Sequence, residues 1–337
     1  MINRSRNPLV VEVLRGPVVE SFHQVLAVVA DDRGLVTGFN GNHDYLTFPR
    51  SSIKMLQAIP FVESGAMEKF GLDDRMLALA SSSHSGEKQH LLVASQWMEK
   101  IHAKEDLLRC GPAWPYHEPT KFEMIRKDLK PNRVLHNCSG KHLGLISACV
   151  AAGFSPLDYH KWDHPIQARI RKVLSEMMKI DHEKVPWGID GCGIPTYSVP
   201  LQNIAVGMGQ MLASSVGEAR KFACQRILDA ARKHPQLIGG SDEFVSLVNE
   251  KTNGRVIAKA GAEGTYAALI PEKRLAFVLK VHDGRERAAN VAMAGLLRHL
   301  GGISESEFNA LKEFTQPTVK NSRGEDVGEV RLQKGSL

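Results

Sequence analysis

The chain has 337 residues, of which 43% are apolar, 24% charged and only 6% aromatic, with 29 glycines and 16 prolines. These are the proportions of a globular protein with many turns around small core side chains, and they exclude a disordered chain, a collagen-like repeat and a disulfide scaffold. The formal charge of +6 is not gathered into any block of like sign, so neither a phosphate-tracking face nor a nucleic-acid partner is expected.

The N-terminal stretch has Arg4 and Arg6 and is then broken by Glu12 and Arg15, so no secretory apolar segment forms. The most continuous apolar run, 143–154, is far shorter than the roughly 20 residues that span a bilayer, and no membrane association is expected. An odd count of five cysteines at low density fits a reducing compartment, and a cytoplasmic location is expected.

In chain order, 8–14 and 22–30 read as strands, and Asp31-Asp32-Arg33-Gly34 turns back into 35–39 as a hairpin. Helical spacing follows at 51–62, 73–80, 88–101, 141–152, 166–178, 199–211 and 215–233, with loops at 110–120 and 186–197. β character returns at 255–258, and 264–270 with 275–281 form a hairpin through Pro271-Glu272-Lys273-Arg274. An Ala-rich amphipathic helix follows over 285–300, closed by Gly301-Gly302. The segment after Pro317 reads as either an edge strand or a tail. The pattern predicts an α+β fold: an antiparallel sheet shared by both chain ends, with a helical insert between them. In this reading 1–50 and 251–337 build the sheet part and 51–250 the insert.

The first chemical motif is Pro49-Arg50-Ser51-Ser52-Ile53-Lys54, where the insert begins. Positions three apart share a helix face, so Ser51 Oγ and Lys54 Nζ can meet. A serine hydroxyl needs a base, and an amine is one only when burial or a second cation lowers its pKa. On the bland alternative, Ser51 caps the helix and Lys54 is a solvated cation. Lys259-Ala260-Gly261 after a late strand favours chemistry, because a strand-borne Lys-x-Gly beside a helix-borne Ser-x-x-Lys is the arrangement of serine β-lactamases and penicillin-binding proteins.

Ser81-Ser82-Ser83-His84-Ser85-Gly86-Glu87 reads either as a helix cap or as a relay hydroxyl. Asn137-Cys138-Ser139-Gly140-Lys141-His142 and Gly188-Ile189-Asp190-Gly191-Cys192-Gly193 each set one cysteine among glycines and polar residues, unlike a packed thiol. With Lys141, Asp190 or His142 the two thiolates have the chemistry for tetrahedral zinc, although there is no C-x-x-C pair and lysine must lose its proton to bind. Cys110, Cys149 and Cys224 read as core residues.

These motifs, taken with Asp163-His164-Pro165-Ile166-Gln167 and Val327-Gly328-Glu329, resemble the rhizobial-type, or class 3, L-asparaginases over nearly the whole chain. One departure is His282 in Lys280-Val281-His282-Asp283-Gly284, where an acidic residue is expected. The resemblance implies the serine β-lactamase and glutaminase fold, and hydrolysis of L-asparagine to L-aspartate and ammonia. It implies two Ser-Lys pairs, Ser51 with Lys54 and Ser83 with Lys259, and zinc held by Cys138, Lys141 and Cys192. Arg50, His84, Asp190 and Gly261 are then expected at the substrate. Zinc would orient the substrate's α-amino or α-carboxylate group rather than activate water. The rivals are a glutaminase or β-lactam-reactive serine hydrolase of the same fold, and a non-catalytic zinc or amino-acid binding protein. A homodimer is expected.

Overall fold

Alternation of apolar side chains at period two, with both faces covered, explains the centre of the fold, seen in a computed structural model that describes residues 4–337. The N-terminal strands are β1 (Arg4–Ser5), β2 (Leu9–Arg15), β3 (Val18–Asp31), β4 (Val36–Asn40) and β5 (Leu46–Thr47). Short strands β6 (Trp187–Ile189), β7 (Pro195–Tyr197) and β8 (Val199–Pro200) lie within the helical region. The last strands are β9 (Ile257–Lys259), β10 (Thr265–Ile270), β11 (Leu275–Val281), β12 (Thr318–Lys320) and β13 (Asp326–Leu332).

The main sheet runs β12-β13-β2-β3-β11-β10-β9, with β4 paired to β3 and to β1. The long β3 pairs with β2 through its first half and β4 through its second, while β11 lies along its other edge. Val25, Ala27 and Val29 of β3 belong to one core, which includes helices Phe244–Lys251 and Glu286–His299. Leu26, Val28 and Ala30 face the second, larger core, built by the insert. Both strand faces are therefore buried, which fixes register strongly, since a one-residue slip would exchange the two cores.

The α+β expectation holds: N- and C-terminal strands share one largely antiparallel sheet, and the helices between them cover one face. The segment after Pro317 is an edge hairpin, with β13 on β2. Four local expectations need correction. The loop expected over 186–197 contains an antiparallel strand pair, β6 with β7. The helix expected over 51–62 is a 3₁₀ turn, Arg50–Ile53, followed by helices Lys54–Gln57 and Ile59–Glu63, interrupted where Pro60 lacks an amide donor. The helix expected over 199–211 begins only at Leu201, because Val199–Pro200 pairs as a strand with β5. The loop expected over 110–120 runs into an unpredicted helix, Glu118–Arg126, whose apolar side chains Phe122 and Ile125 stay exposed. No helix among the described residues is long and apolar enough to cross a membrane.

Helices Asp74–Ala80 and Ser139–Ala151 touch backbone to backbone at Gly140, where a Cβ would lie 2.1 Å from the Leu79 carbonyl oxygen. This contact seats the start of the helix carrying Lys141. Gly140→Ala should destabilise the protein by about 1–3 kcal/mol, the range for overpacking a tight core. Urea unfolding checks it: the midpoint falls with little change in slope.

Candidate active site

The turn carrying Ser51 is conformationally unusual before any side chain is considered. Arg50 has φ +50°, a left-handed conformation that disfavours a residue with a Cβ. Two contacts hold it there. Arg50 Nε donates to Asp190 Oδ1 at 2.6 Å, and Gly261 packs on the turn from the strand side. A Cβ at Gly261 would lie 2.8 Å from Ser52 N and 3.0 Å from the Pro49 carbonyl oxygen. Gly261 thus acts by letting two backbones approach, and Arg50 and Asp190 satisfy each other. Strain held by its surroundings in this way is typical of functional sites.

Lys54 is fully buried, so it is not the solvated cation of the bland alternative. Its Nζ donates to the Ser82 carbonyl at 2.5 Å, to Ser83 Oγ at 3.1 Å and to the Asn137 carbonyl at 3.5 Å. None of these partners is Ser51. The expected Ser51–Lys54 contact is replaced by a Lys54–Ser83 contact, because Ser51 lies in the 3₁₀ turn while the Lys54 side chain reaches across the core to 82–83 and 137. Among the described residues no hydrogen bond engages the Ser51 hydroxyl or its backbone N–H.

Strand periodicity explains the second amine. In β9, Lys259 follows Ile257 by two residues, so it leaves the sheet on the insert side, where Ile257 belongs to the larger core. Its Nζ lies 2.8 Å from Ser83 Oγ and 2.6 Å from the Ala260 carbonyl. Ser83 is thereby bridged by two buried amines. Burial pushes the Lys259 pKa well below the ordinary lysine value, and nearby Lys54 pushes it further. Burial also lowers the Lys54 pKa, against a pull upward from Cys138. The acceptors agree: Lys54 has three, as an ammonium needs, whereas Lys259 has one carbonyl and can take the Ser83 proton on its lone pair.

The thiol pair lies beside this group. Cys138 and Cys192 are both buried, and Lys141 Nζ donates to Cys192 Sγ at 3.1 Å. A hydrogen bond from Cys192, together with Lys54 and Lys141, holds the Cys138 thiol well below its ordinary pKa, while Cys192 is raised in turn. Burial alone would raise Asp190, but Lys141 and Arg50 bring it below the ordinary aspartate value. By contrast, burial pushes Cys110, Cys149 and Cys224 up to about 12, as expected of core thiols.

The donor set fits zinc in kind: two soft sulfurs and one amine converge in a buried corner next to a carboxylate. Among the described residues no group of three or more His, Cys, Asp or Glu side chains is arranged to hold a metal, so Lys141 would have to be the third ligand.

His84 was expected at the substrate. It is buried instead, with Nε2 2.8 Å from Ser139 Oγ and its ring stacked on His90, so it braces the Ser83 loop against the helix that carries Lys141. Glu87 and His90 form the cap of helix Lys88–Lys100, so the serine-rich segment provides both a helix cap and a site hydroxyl. His282 is exposed, its ring tilted at 48° against Tyr45. Sequence reasoning missed the Ser82 and Asn137 carbonyls, because a backbone acceptor carries no residue signature.

Residues 11–332 match the L-asparaginase II family, and the chain belongs to that family, a family of hydrolases. Among solved structures it is similar to a β-lactamase from Mycobacterium bovis, at 14% identity over 83% of this chain and 95% of that one, with a TM-score of 0.43. No curated protein matches the chain significantly.

Proposed function

We propose that the protein hydrolyses L-asparagine to L-aspartate and ammonia through Ser-Lys nucleophilic catalysis. The observation that carries the reading is the Ser83 hydroxyl held between Lys54 at 3.1 Å and Lys259 at 2.8 Å, beside the turn of a free Ser51. Family membership supports the amide substrate.

In this reading Ser51 attacks the side-chain amide carbon, and its unengaged backbone N–H serves the developing oxyanion. Ser83 is the relay. It passes its proton to Lys259 and takes one from Lys54, and the neutral Lys54 amine, bonded to Ser83 rather than Ser51 at rest, then turns to take the Ser51 proton. The same chain, run in reverse, delivers a proton to the departing ammonia, and water then cleaves the acyl-enzyme. Cys138, Lys141 and Cys192 would hold zinc, which when bound supplies a Lewis acid that orients the substrate. The five free thiols support a reducing, cytoplasmic setting.

A second assignment has its own observation: Ser83 is the hydroxyl already polarised by two amines, which suits a nucleophile. One pair of variants separates them. Ser51→Ala should lower kcat by roughly 10⁶-fold, the scale for losing a nucleophilic serine, and mass spectrometry should find any trapped acyl group on the Ser51 peptide. Activity that survives Ser51→Ala but vanishes in Ser83→Ala reverses the roles.

The pH dependence follows from Lys259. Its pKa is lowered, so the neutral amine that the relay needs is absent at low pH and accumulates as pH rises through the lowered value. The rising limb of kcat/KM for asparagine should therefore lie below the ordinary lysine value of 10.5. A limb at or above that value removes Lys259 as the proton acceptor.

For the thiol pair, Cys138→Ala and Cys192→Ala should abolish zinc content and raise KM much more than they lower kcat. An equal loss of kcat in folded variants would count against an orienting role.

A further inference from the structure

Lys280 belongs to a motif noted in the sequence and takes no part in the chemistry above. In β11 it follows Ala276 and Val278 at period two, and both of these face the insert core, so Lys280 leaves the sheet on the same face as Lys259. It pairs with Thr265 of β10, and Lys259 pairs with Ala267 of the same strand. Two strand spacings across and two residues along place the two lysine backbones about 12 Å apart.

The loop joining β9 to β10 ties Lys280 to the Ser51 turn. Gly261 in that loop packs on the turn, and Glu263 two residues later has φ +59°, the second non-glycine residue of the site held left-handed. The half-buried Lys280 ammonium donates to the Glu263 backbone carbonyl. The Glu263 carboxylate lies against Gly284, and that of Asp283 is bonded to His23. Among the described residues Lys280 has no carboxylate partner at ion-pair distance.

The other cations are committed. Arg50 is bonded to Asp190, Lys54 and Lys259 to Ser83, and Lys141 to Cys192. An amino-acid amide brings an α-carboxylate that must exchange water for a cation or lose affinity. We propose that Lys280 is the residue that anchors the substrate's α-carboxylate and so selects free amino-acid amides over simple amides. The assignment rests on the amidohydrolase reading. Burial and nearby Arg50 also depress the Lys280 pKa, against a pull upward from Glu263, so an arriving anion relieves uncompensated positive charge.

The test compares wild type, Lys280→Met and Lys280→Arg on L-asparagine and on β-alanine amide, which lacks the α-carboxylate. Lys280→Met should raise KM for L-asparagine about tenfold or more with kcat within about twofold, and Lys280→Arg should recover most of the loss. The rate on β-alanine amide should be the same in wild type and Lys280→Met. An equal loss on both substrates makes the effect structural and overturns the assignment. L-Aspartate binding, titrated calorimetrically, supplies an arm independent of turnover. Its Kd should rise by a similar factor in Lys280→Met. If KM and L-aspartate affinity are both unmoved while wild type releases ammonia, the Lys280 assignment falls and the amidohydrolase reading stands. If wild type releases no ammonia yet Lys280→Met weakens L-aspartate binding, the amidohydrolase reading falls and the carboxylate anchor stands.

Discussion

Two lysine amines placed against one serine hydroxyl, away from water, are the constraint around which the site is organised. Burial disfavours an ammonium, and a second ammonium nearby disfavours it again, so Lys54 and Lys259 cannot both hold a full charge at little cost. The arrangement persists because its polar groups are met: the Ser82, Asn137 and Ala260 carbonyls accept from the two amines, and Ser83 lies between them. A buried amine without such partners would be expensive. Here the same acceptors also distinguish the protonated lysine from the neutral one, and that difference makes proton transfer through Ser83 possible.

Each member of this group arrives from a different part of the fold, and each arrival depends on backbone geometry. Lys259 faces the insert because β9 keeps strict alternation with β10, whose two faces are both buried. Lys54 begins the helix after the strained turn, and the turn keeps its shape because Gly261 approaches it as closely as backbone allows. Ser83 is presented by a loop whose amide bonds to the Ile238 carbonyl, with the Ser85 amide on Gly239 beside it. Sheet, insert and loop are thus coupled at one point, so a change in any of them moves the distance between hydroxyl and amine.

Much of this was legible in the sequence because period-two strands and 3.6-period helices leave direct marks. The strand 275–281 and helix 166–178 fall within a residue or two of where spacing put them. The Ser-Lys residues were legible as motifs, but their pairing was not. Sequence spacing makes Ser51 the neighbour of Lys54, whereas the Lys54 side chain crosses to residues 28 and 29 positions away. Spacing cannot register such a contact, because tertiary packing sets it. The contact His84 makes was not legible for a related reason: a histidine next to a catalytic-looking serine reads the same whether it faces the cleft or, as here, bonds to Ser139. The helix Glu118–Arg126 was hidden by its flanking prolines and by apolar side chains that remain exposed, so no buried stripe announced it.

The charge balance of the site explains why its cysteines and the partly buried Asp190 carboxylate lie where they do. Arg50, Lys54, Lys141, Lys259 and Lys280 bring five basic groups to one region, opposed by Asp190, by Glu243 near Lys259, by Glu263 near Lys280 and by a Cys138 thiol held well below its ordinary pKa. Lys141 and Asp190 stabilise each other's charged forms, and the thiol pair shields Lys54 from the full effect of burial. Basic groups thus outnumber acidic ones around the turn that carries Ser51. A region of that sign favours an arriving carboxylate and a developing oxyanion while disfavouring a protonated leaving amine. In the proposed reaction ammonia would therefore leave as the neutral molecule, which needs only the one proton that the attacking serine gives up. The same buried amines repel a cationic product and, because each disfavours the other's protonated form, favour the state with one neutral lysine from which the proposed cycle starts.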